Sequence, residues 1–217
     1  SFGPSLKNTW EKIKDFKYVM SCSGSHKFLV DHGIIPTWDL NVDPREHKIK
    51  LMGPPQKGCT YLIASTCHPK LVDWVQDAGC EVKLWNIFDN EEEGYRVLPP
   101  GEWMICGGCS VGVRQLTLSR FLGFTDMHIF GMDGSFGDEG SHAAEHPNDA
   151  SKKKVYETEY NGVKYRTTPS MLEAARNTWH ELDTMKDVCL YRRVAVLTED
   201  GMKSVKWIVD SKYSGRV

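Results

Sequence analysis

Short apolar, β-rich runs alternate with amphipathic ones along most of the chain. Residues 16–21 (FKYVMS) pattern as a strand and 25–32 as the helix behind it, stopped at Gly33. The next strand covers 38–42 and ends at Asp43. A third, 61–65 (YLIAS), feeds a helix over 69–78 that Pro69 opens and Gly79 closes. A short strand follows at 82–87. Residues 103–106 lead through Gly107 and Gly108 into a helix at 111–122, closed by Gly123, and 127–130 form the most hydrophobic strand, ending in Gly131-Met132-Asp133. This alternation predicts an α/β, Rossmann-like fold, a mainly parallel sheet with helices on both faces and right-handed crossovers. Such sheets bind ligands at the carboxyl ends of their strands, so chemistry is to be sought just after each strand.

After Asp133 the pattern changes. Residues 134–151 are rich in Gly, His, Asp and Asn and too long for a plain connector, which predicts a lid that is mobile when empty and closes over a ligand. Asn161-Gly162 separates two β-rich runs, 155–160 and 163–167, as a two-residue hairpin. Residues 169–185 pattern as a long amphipathic helix with Leu172, Ala175, Trp179 and Leu182 on one stripe, and a last strand lies near 190–197. The expected organisation is one domain: a core to residue 133, the lid, then the hairpin and helix over 155–187.

An apolar share of 40% and a charged share of 26% exclude disorder as the main state. A formal charge of −2 gives no reason to wrap a polyanion, and Lys152-Lys153-Lys154 reads as a solvated loop edge, so nucleic acid is not an expected partner. No stretch approaches the roughly 20 apolar residues of a membrane helix, and no basic-then-apolar leader is present. Seven cysteines, an odd number spread through apolar runs, fit reduced core residues. A soluble, cytoplasmic protein with no membrane partner is expected, and self-association into a homo-oligomer is compatible with the composition.

Two glycine turns can face an anion. In Ser1-Phe2-Gly3-Pro4-Ser5-Leu6 the backbone at Gly3 and the Ser5 hydroxyl stand at a helix start, where Ser5 is equally an ordinary cap. In Gly107-Gly108-Cys109-Ser110-Val111-Gly112 a strand hands over to a helix, so Gly108, Ser110 and Gly112 can cradle a phosphate; the plain alternative is a tight turn with close helix packing. Asp133 ends an apolar strand, where a carboxylate is costly without a ligand, a metal or backbone donors. Cys106-Gly107-Gly108-Cys109 has redox spacing at a junction that lowers a thiol pKa, without the flanks of a thioredoxin-like site. His142-Ala143-Ala144-Glu145-His146 has the spacing of some zinc peptidases, but Pro147 and the polar flanks place it in a loop. Acid–base work suits it better, with His142 as the base and His146 behind it, against the alternative of two surface histidines. His26, His68 and Ser65-Thr66-Cys67 also follow strands and serve equally as turn or capping residues.

The Gly-Pro-Ser-Leu start, residues 33–43 (GIIPTWDLNVD), residues 107–133 (GGCSVGVRQLTLSRFLGFTDMHIFGMD) and the His-containing loop resemble the 6-hydroxymethylpterin diphosphokinase MptE-like family. That family is related to flagellin-modification proteins and shares its Rossmann-like core and Gly-Pro-Ser-Leu loop with bacterial sialyltransferases. The resemblance covers roughly residues 1 to 150; Tyr165-Arg166-Thr167-Thr168-Pro169-Ser170-Met171 is similar to phage-borne relatives. It implies a nucleotide held between the two glycine turns, near Gly3, Ser5, Gly108, Ser110 and Gly112. Asp43 and Asp133 would face ribose hydroxyls or a metal. Asp133 is also expected to act with His142 as a catalytic residue, and His146 and Thr168 to contact the substrate. Two departures stand out. Family members carry a strand before the first loop, whereas this chain begins inside it, which implies an incomplete first site. They also tend to place Asn after the second strand, where this chain has Ser21-Cys22-Ser23-Gly24-Ser25.

Three functions follow as expectations. The preferred one is glycosyl transfer from a nucleotide-activated sugar to a small-molecule or glycan acceptor, with His142 as base and no residues assigned to a metal, favoured by the rarity of acidic pairs near the glycine turns. Another is a diphosphokinase using a nucleotide with Mg²⁺ held by Asp43 or Asp133. The third is a nucleotide-binding protein that keeps the fold without the chemistry.

Overall fold

The structure, a computed structural model, describes residues 1–87, 96–102, 104–105, 107–124, 126–138, 140–144, 154–160, 163–188 and 193–196. Its helices are α1 (Leu6–Thr9), α2 (Gly24–Asp31), α3 (Ile49–Met52), α4 (Pro69–Asp77), α5 (Val111–Phe121) and α6 (Pro169–Val188). Its strands are β1 (Met20–Cys22), β2 (Trp38–Asn41), β3 (Thr60–Ala64), β4 (Glu81–Trp85), β5 (Asp126–Ile129), β6 (Tyr156–Tyr160), β7 (Val163–Thr167) and β8 (Arg193–Val196). The chain sorts into two compact units, Ile13–Gly107 and Ser1–Lys12 with Gly108–Val217.

The unit Ile13–Gly107 is built on an all-parallel sheet in the order β1-β2-β3-β4. The apolar run of β3 has its Tyr61, Leu62, Ile63 and Ala64 all buried, as expected of a strand covered on both faces. Pro69 opens α4, and the His68 ring accepts the Lys70 N–H as its cap. Gly33 and Gly79 take positive φ where α2 and α4 end, the left-handed stop that glycine permits without steric cost. The first strand begins later than the apolar run suggests. A 3₁₀ helix, Trp10–Asp15, occupies the chain ahead of it, and Phe16 donates its N–H to the Ile13 carbonyl. Pairing begins where Val19 accepts from the Thr37 and Trp38 N–H groups.

In the second unit β5 pairs with β8 in parallel, while β6 and β7 form the antiparallel hairpin whose turn, Asn161-Gly162, lies outside the described residues. Leu116 of α5, Met127 and Ile129 of β5, Met132 and Ala175 of α6 make a buried cluster joined by Phe124 and Leu182. Ala175 and Leu182 belong to the stripe read from the sequence, so the 3.6-residue period located the inner face of α6. Among the described residues no helix is long and apolar enough to cross a membrane.

Candidate functional site

Residues 1, 3 and 5 run alongside the segment that leaves β5. The Ser1 nitrogen donates to the Phe130 carbonyl (2.8 Å), the Gly3 N–H to the Gly131 carbonyl (2.6 Å) and the Ser5 N–H to Asp133 Oδ2 (3.0 Å). The approach is possible because two glycines face it. A Cβ on Gly3 would lie 2.0 Å from Asp133 Oδ2, and one on Gly131, at φ +64°, would lie 2.7 Å from the Ser1 carbonyl.

Asp133 is 3% exposed, and burial raises its carboxyl pKa; the Ser5 hydroxyl and N–H pull the other way without cancelling the shift. Asp133 Oδ1 and Ser5 Oγ are both buried and neither makes a hydrogen bond of good geometry, although the Ser5 hydroxyl stands close enough to the carboxylate to lower its pKa. An unsatisfied buried acceptor costs roughly 1–3 kcal/mol.

The second glycine turn stands against the same loop. A Cβ on Gly112, in the first turn of α5, would approach Ser1 Oγ and Met132 Cε to 3.1 Å. Ser110 caps the helix by accepting the Val113 N–H (3.3 Å), and the Cys109 N–H is taken by Asn177 Oδ1 of α6 (2.7 Å). Gly108 is required by packing, since a Cβ there would meet Val113 Cγ1 at 2.4 Å. Helix geometry leaves the N–H groups of Val111 and Gly112 without intrahelical acceptors, and these are the donors that can meet an anion.

The described part of the expected lid is tied down on both sides. Phe136 N–H donates to the Arg166 carbonyl (2.8 Å) and Thr167 Oγ1 to the Gly134 carbonyl (2.8 Å), both on β7. On the other side the Ala143 N–H donates to the Phe2 carbonyl (3.1 Å), and the His142 ring packs on Phe2 with centroids 5.6 Å apart. His142 Nδ1 lies 2.8 Å from Ser141 Oγ. His142 is thus held by the loop that carries Gly3 and Ser5, while His146 lies outside the described residues.

Residues 1–139 match the 6-hydroxymethylpterin diphosphokinase MptE-like family. The chain belongs to that family. No curated protein and no solved structure matches it. The family takes its description from a diphosphokinase, a group-transfer enzyme. In this MptE-like chain the matched segment includes the Ser1–Ser5 loop, α5, Asp133 and the whole unit Ile13–Gly107.

The remaining expected site residues have local partners. Asp43 belongs to the unit Ile13–Gly107 and makes a two-pronged ion pair with Arg45 (2.6 and 2.8 Å). Thr168 is buried and caps α6, accepting the Met171 N–H (3.3 Å). His26 is a core histidine, its ring bridging the Met52 carbonyl (2.7 Å) and the Tyr61 hydroxyl (2.9 Å). Cys106 lies outside the described residues, and the Cys109 thiol pKa is raised by burial and then by Glu173, opposite to the shift that favours a reactive thiolate.

Four residues were not found from the sequence. Asn177 and Phe2 act through contacts that only the fold creates. Asp39 of β2 is fully buried, accepts from Ser21 Oγ (2.6 Å) and Asn41 Nδ2 (2.8 Å), and has its pKa raised by burial. Ser23, between β1 and α2, is the one non-glycine residue at positive φ among the described residues, with φ 52° and ψ −131°. The Ser25 hydroxyl pins this turn, accepting the Cys22 N–H (2.9 Å) and donating to the Cys22 carbonyl (2.8 Å). A positive φ with that ψ is sparsely populated by non-glycine residues and costs about 1–3 kcal/mol. Ser23→Gly should therefore raise the thermal midpoint, by about 2–4 °C per kcal/mol recovered, as read by differential scanning calorimetry; a lower midpoint would show that the hydroxyl does more than the strain costs.

Proposed function

We propose that this chain is a nucleotide-dependent diphosphokinase-type transferase whose phosphate site lies between the Ser1–Ser5 loop and the first turn of α5. The observation that carries it is the pair of buried oxygens, Ser5 Oγ and Asp133 Oδ1, that face each other beside that loop without a well-formed hydrogen bond. One carboxylate and one hydroxyl are hard donors that suit Mg²⁺, which commonly uses one or two carboxylates together with substrate phosphates. The residues therefore fit the metal: Ser5 and Asp133 would hold it, and it would supply neutralisation of phosphate charge.

The chain's own groups do the rest. The Val111 and Gly112 N–H groups bind phosphate oxygens, aided by the positive end of the α5 dipole. His142, with the Nδ1–H tautomer donating to Ser141 Oγ, presents Nε2 as the base for an acceptor hydroxyl. The acceptor oxygen bonds the β-phosphorus, the bond from that phosphorus to the α–β bridging oxygen breaks, nucleoside monophosphate leaves, and the acceptor proton passes to His142. A soluble alcohol of the hydroxymethylpterin kind is the acceptor class that the family description suggests.

Glycosyl transfer from a nucleotide-activated sugar is the second reading, favoured by the rarity of acidic pairs near the two glycine turns in the sequence. Product analysis separates them. ATP, Mg²⁺ and 6-hydroxymethylpterin should yield AMP and a diphosphate ester by ³¹P NMR, whereas hydrolysis or turnover of UDP- or CMP-sugars alone supports glycosyl transfer.

Two variants test the site itself. Asp133→Asn keeps an acceptor for the Ser5 N–H and removes a buried charge, so its thermal midpoint should hold or rise. Its Mg²⁺-dependent nucleotide affinity should fall by roughly 10-fold or more, the scale of a lost contact to a charged group. A lower midpoint with unchanged affinity would make Asp133 purely structural. Gly112→Val should leave the protein folded and weaken nucleotide binding, because the branched side chain closes the gap at Ser1 and covers the helix N–H groups; equal affinity by calorimetry removes this turn from the site.

A further inference from the structure

β3 and β4 pair with Thr60 facing Glu81 and Tyr61 facing Val82. One step back, just before the paired residues, the same register extended would set Cys59 opposite Cys80; there the Cys59 N–H donates to the Gln56 carbonyl and the Cys80 N–H to the Val75 carbonyl. Neighbouring strands lie about 4.8 Å apart, inside the Cα separation of roughly 4.4–6.8 Å that a disulfide spans, and facing positions on parallel strands project to the same side of the sheet. Burial is the main cause of the raised Cys59 pKa and the Asp39 charge the next; a charge on Cys80 adds the smallest part, which places the two thiols within electrostatic reach of each other. Cys59 Sγ makes a long contact to the Thr60 carbonyl (3.8 Å) and interacts with the Tyr61 side chain, and Cys80 Sγ makes a long contact to the Ala78 carbonyl (3.9 Å). Thiols are weak donors, so these contacts are easily given up. Cys59 is 3% exposed, whereas Cys80 is half-buried and within reach of a small reagent.

We infer that Cys59 and Cys80 form a redox-responsive pair that closes to a disulfide across β3 and β4 when the chain meets a low-molecular-weight disulfide. Cys80, the more accessible sulfur, attacks first as its thiolate. It bonds one sulfur of the small disulfide, the other leaves as thiolate and takes up a proton, and Cys80 becomes a mixed disulfide. Cys59 then loses its proton, its sulfur attacks the Cys80 sulfur, and the second small thiol departs. Two protein thiols are oxidised by two electrons in all, and the small disulfide is reduced to two thiols. Burial of Cys59 disfavours its thiolate and makes the second step the slower one. A bridge between directly paired strands lies at the short end of the allowed range, so it is strained and readily reduced, which makes the pair a reversible switch that fastens α4 between its two flanking strands.

The test uses the full chain, incubated over a range of oxidised-to-reduced glutathione ratios, quenched with an alkylating agent and mapped by mass spectrometry. The expected product joins the peptides of Cys59 and Cys80, weighs about 2 Da less than the two thiols, and reverts with dithiothreitol. Cys80→Ser should abolish the cross-link, and Cys59→Ala should stop at a glutathione adduct on Cys80. Adducts confined to the exposed Cys109, with Cys59 and Cys80 both alkylated in the wild-type chain, overturn the proposal, as does a cross-link from Cys80 to any other cysteine. The wild-type map decides the matter even where the Cys59 variant fails to fold.

Discussion

Gly3→Ala is expected to abolish nucleotide binding while most of the fold survives. The added Cβ would sit 2.0 Å from Asp133 Oδ2 and 2.7 Å from both Asp133 Cγ and the Gly131 carbonyl oxygen. No rotamer of the new methyl relieves this, because the Cβ position is set by the backbone. Either the loop lifts from β5, breaking the Gly3–Gly131 and Ser5–Asp133 hydrogen bonds, or Asp133 swings out of its buried place. Overpacking of this kind costs about 1–3 kcal/mol, so the thermal midpoint should drop by several degrees without loss of cooperative unfolding. Nucleotide affinity should fall by roughly 100-fold or more, since both buried oxygens lose their placement together. Calorimetry on the folded variant checks it; wild-type affinity would place the phosphate site elsewhere.

His142→Ala should lower the single-turnover rate by roughly 100-fold or more, the scale of losing a general base, with nucleotide affinity nearly unchanged. The ring has a structural duty as well, packing on Phe2 beside the Ala143–Phe2 hydrogen bond. His142→Phe separates the two roles, keeping an aromatic ring against Phe2 while removing the nitrogens. Equal rate losses in the Ala and Phe variants identify the imidazole as the base. A Phe variant with wild-type turnover assigns His142 to loop packing, and a collapse of affinity in both makes it a binding residue.

How much of this was visible beforehand follows from the range of the interactions involved. Strands and helices were legible because their causes are local. A strand buried on both faces needs a continuous apolar run, as Tyr61 to Ala64 supply; a helix that must stop needs a residue tolerant of positive φ, as Gly33, Gly79 and Gly123 are. The boundary ahead of Met20 was misplaced by a few residues because the 3₁₀ turn over Trp10–Asp15 and the side chain of Thr37, which accepts the Val19 N–H, decide where pairing begins.

The proposed site was legible in its residue types and not in its geometry. A glycine followed by Pro-Ser, a glycine turn before a helix and a carboxylate at the end of an apolar strand each signal a polar demand from their own neighbours alone. That Gly3 and Asp133, 130 positions apart, are the two halves of one contact is a tertiary fact, as is the choice of Asn177 to satisfy Cys109 and of Phe2 to hold His142. Asp43 carries the opposite lesson, a strand-end carboxylate whose local sequence also contains its ion partner, Arg45. Sequence by itself thus determined the parallel α/β architecture and the residue types at its strand ends, because periodicity, caps and turns act within a few residues. Only the tertiary structure decided which of those residues meet and which polar atoms remain unsatisfied, because burial and long-range hydrogen bonding depend on parts of the chain that no local pattern brings together.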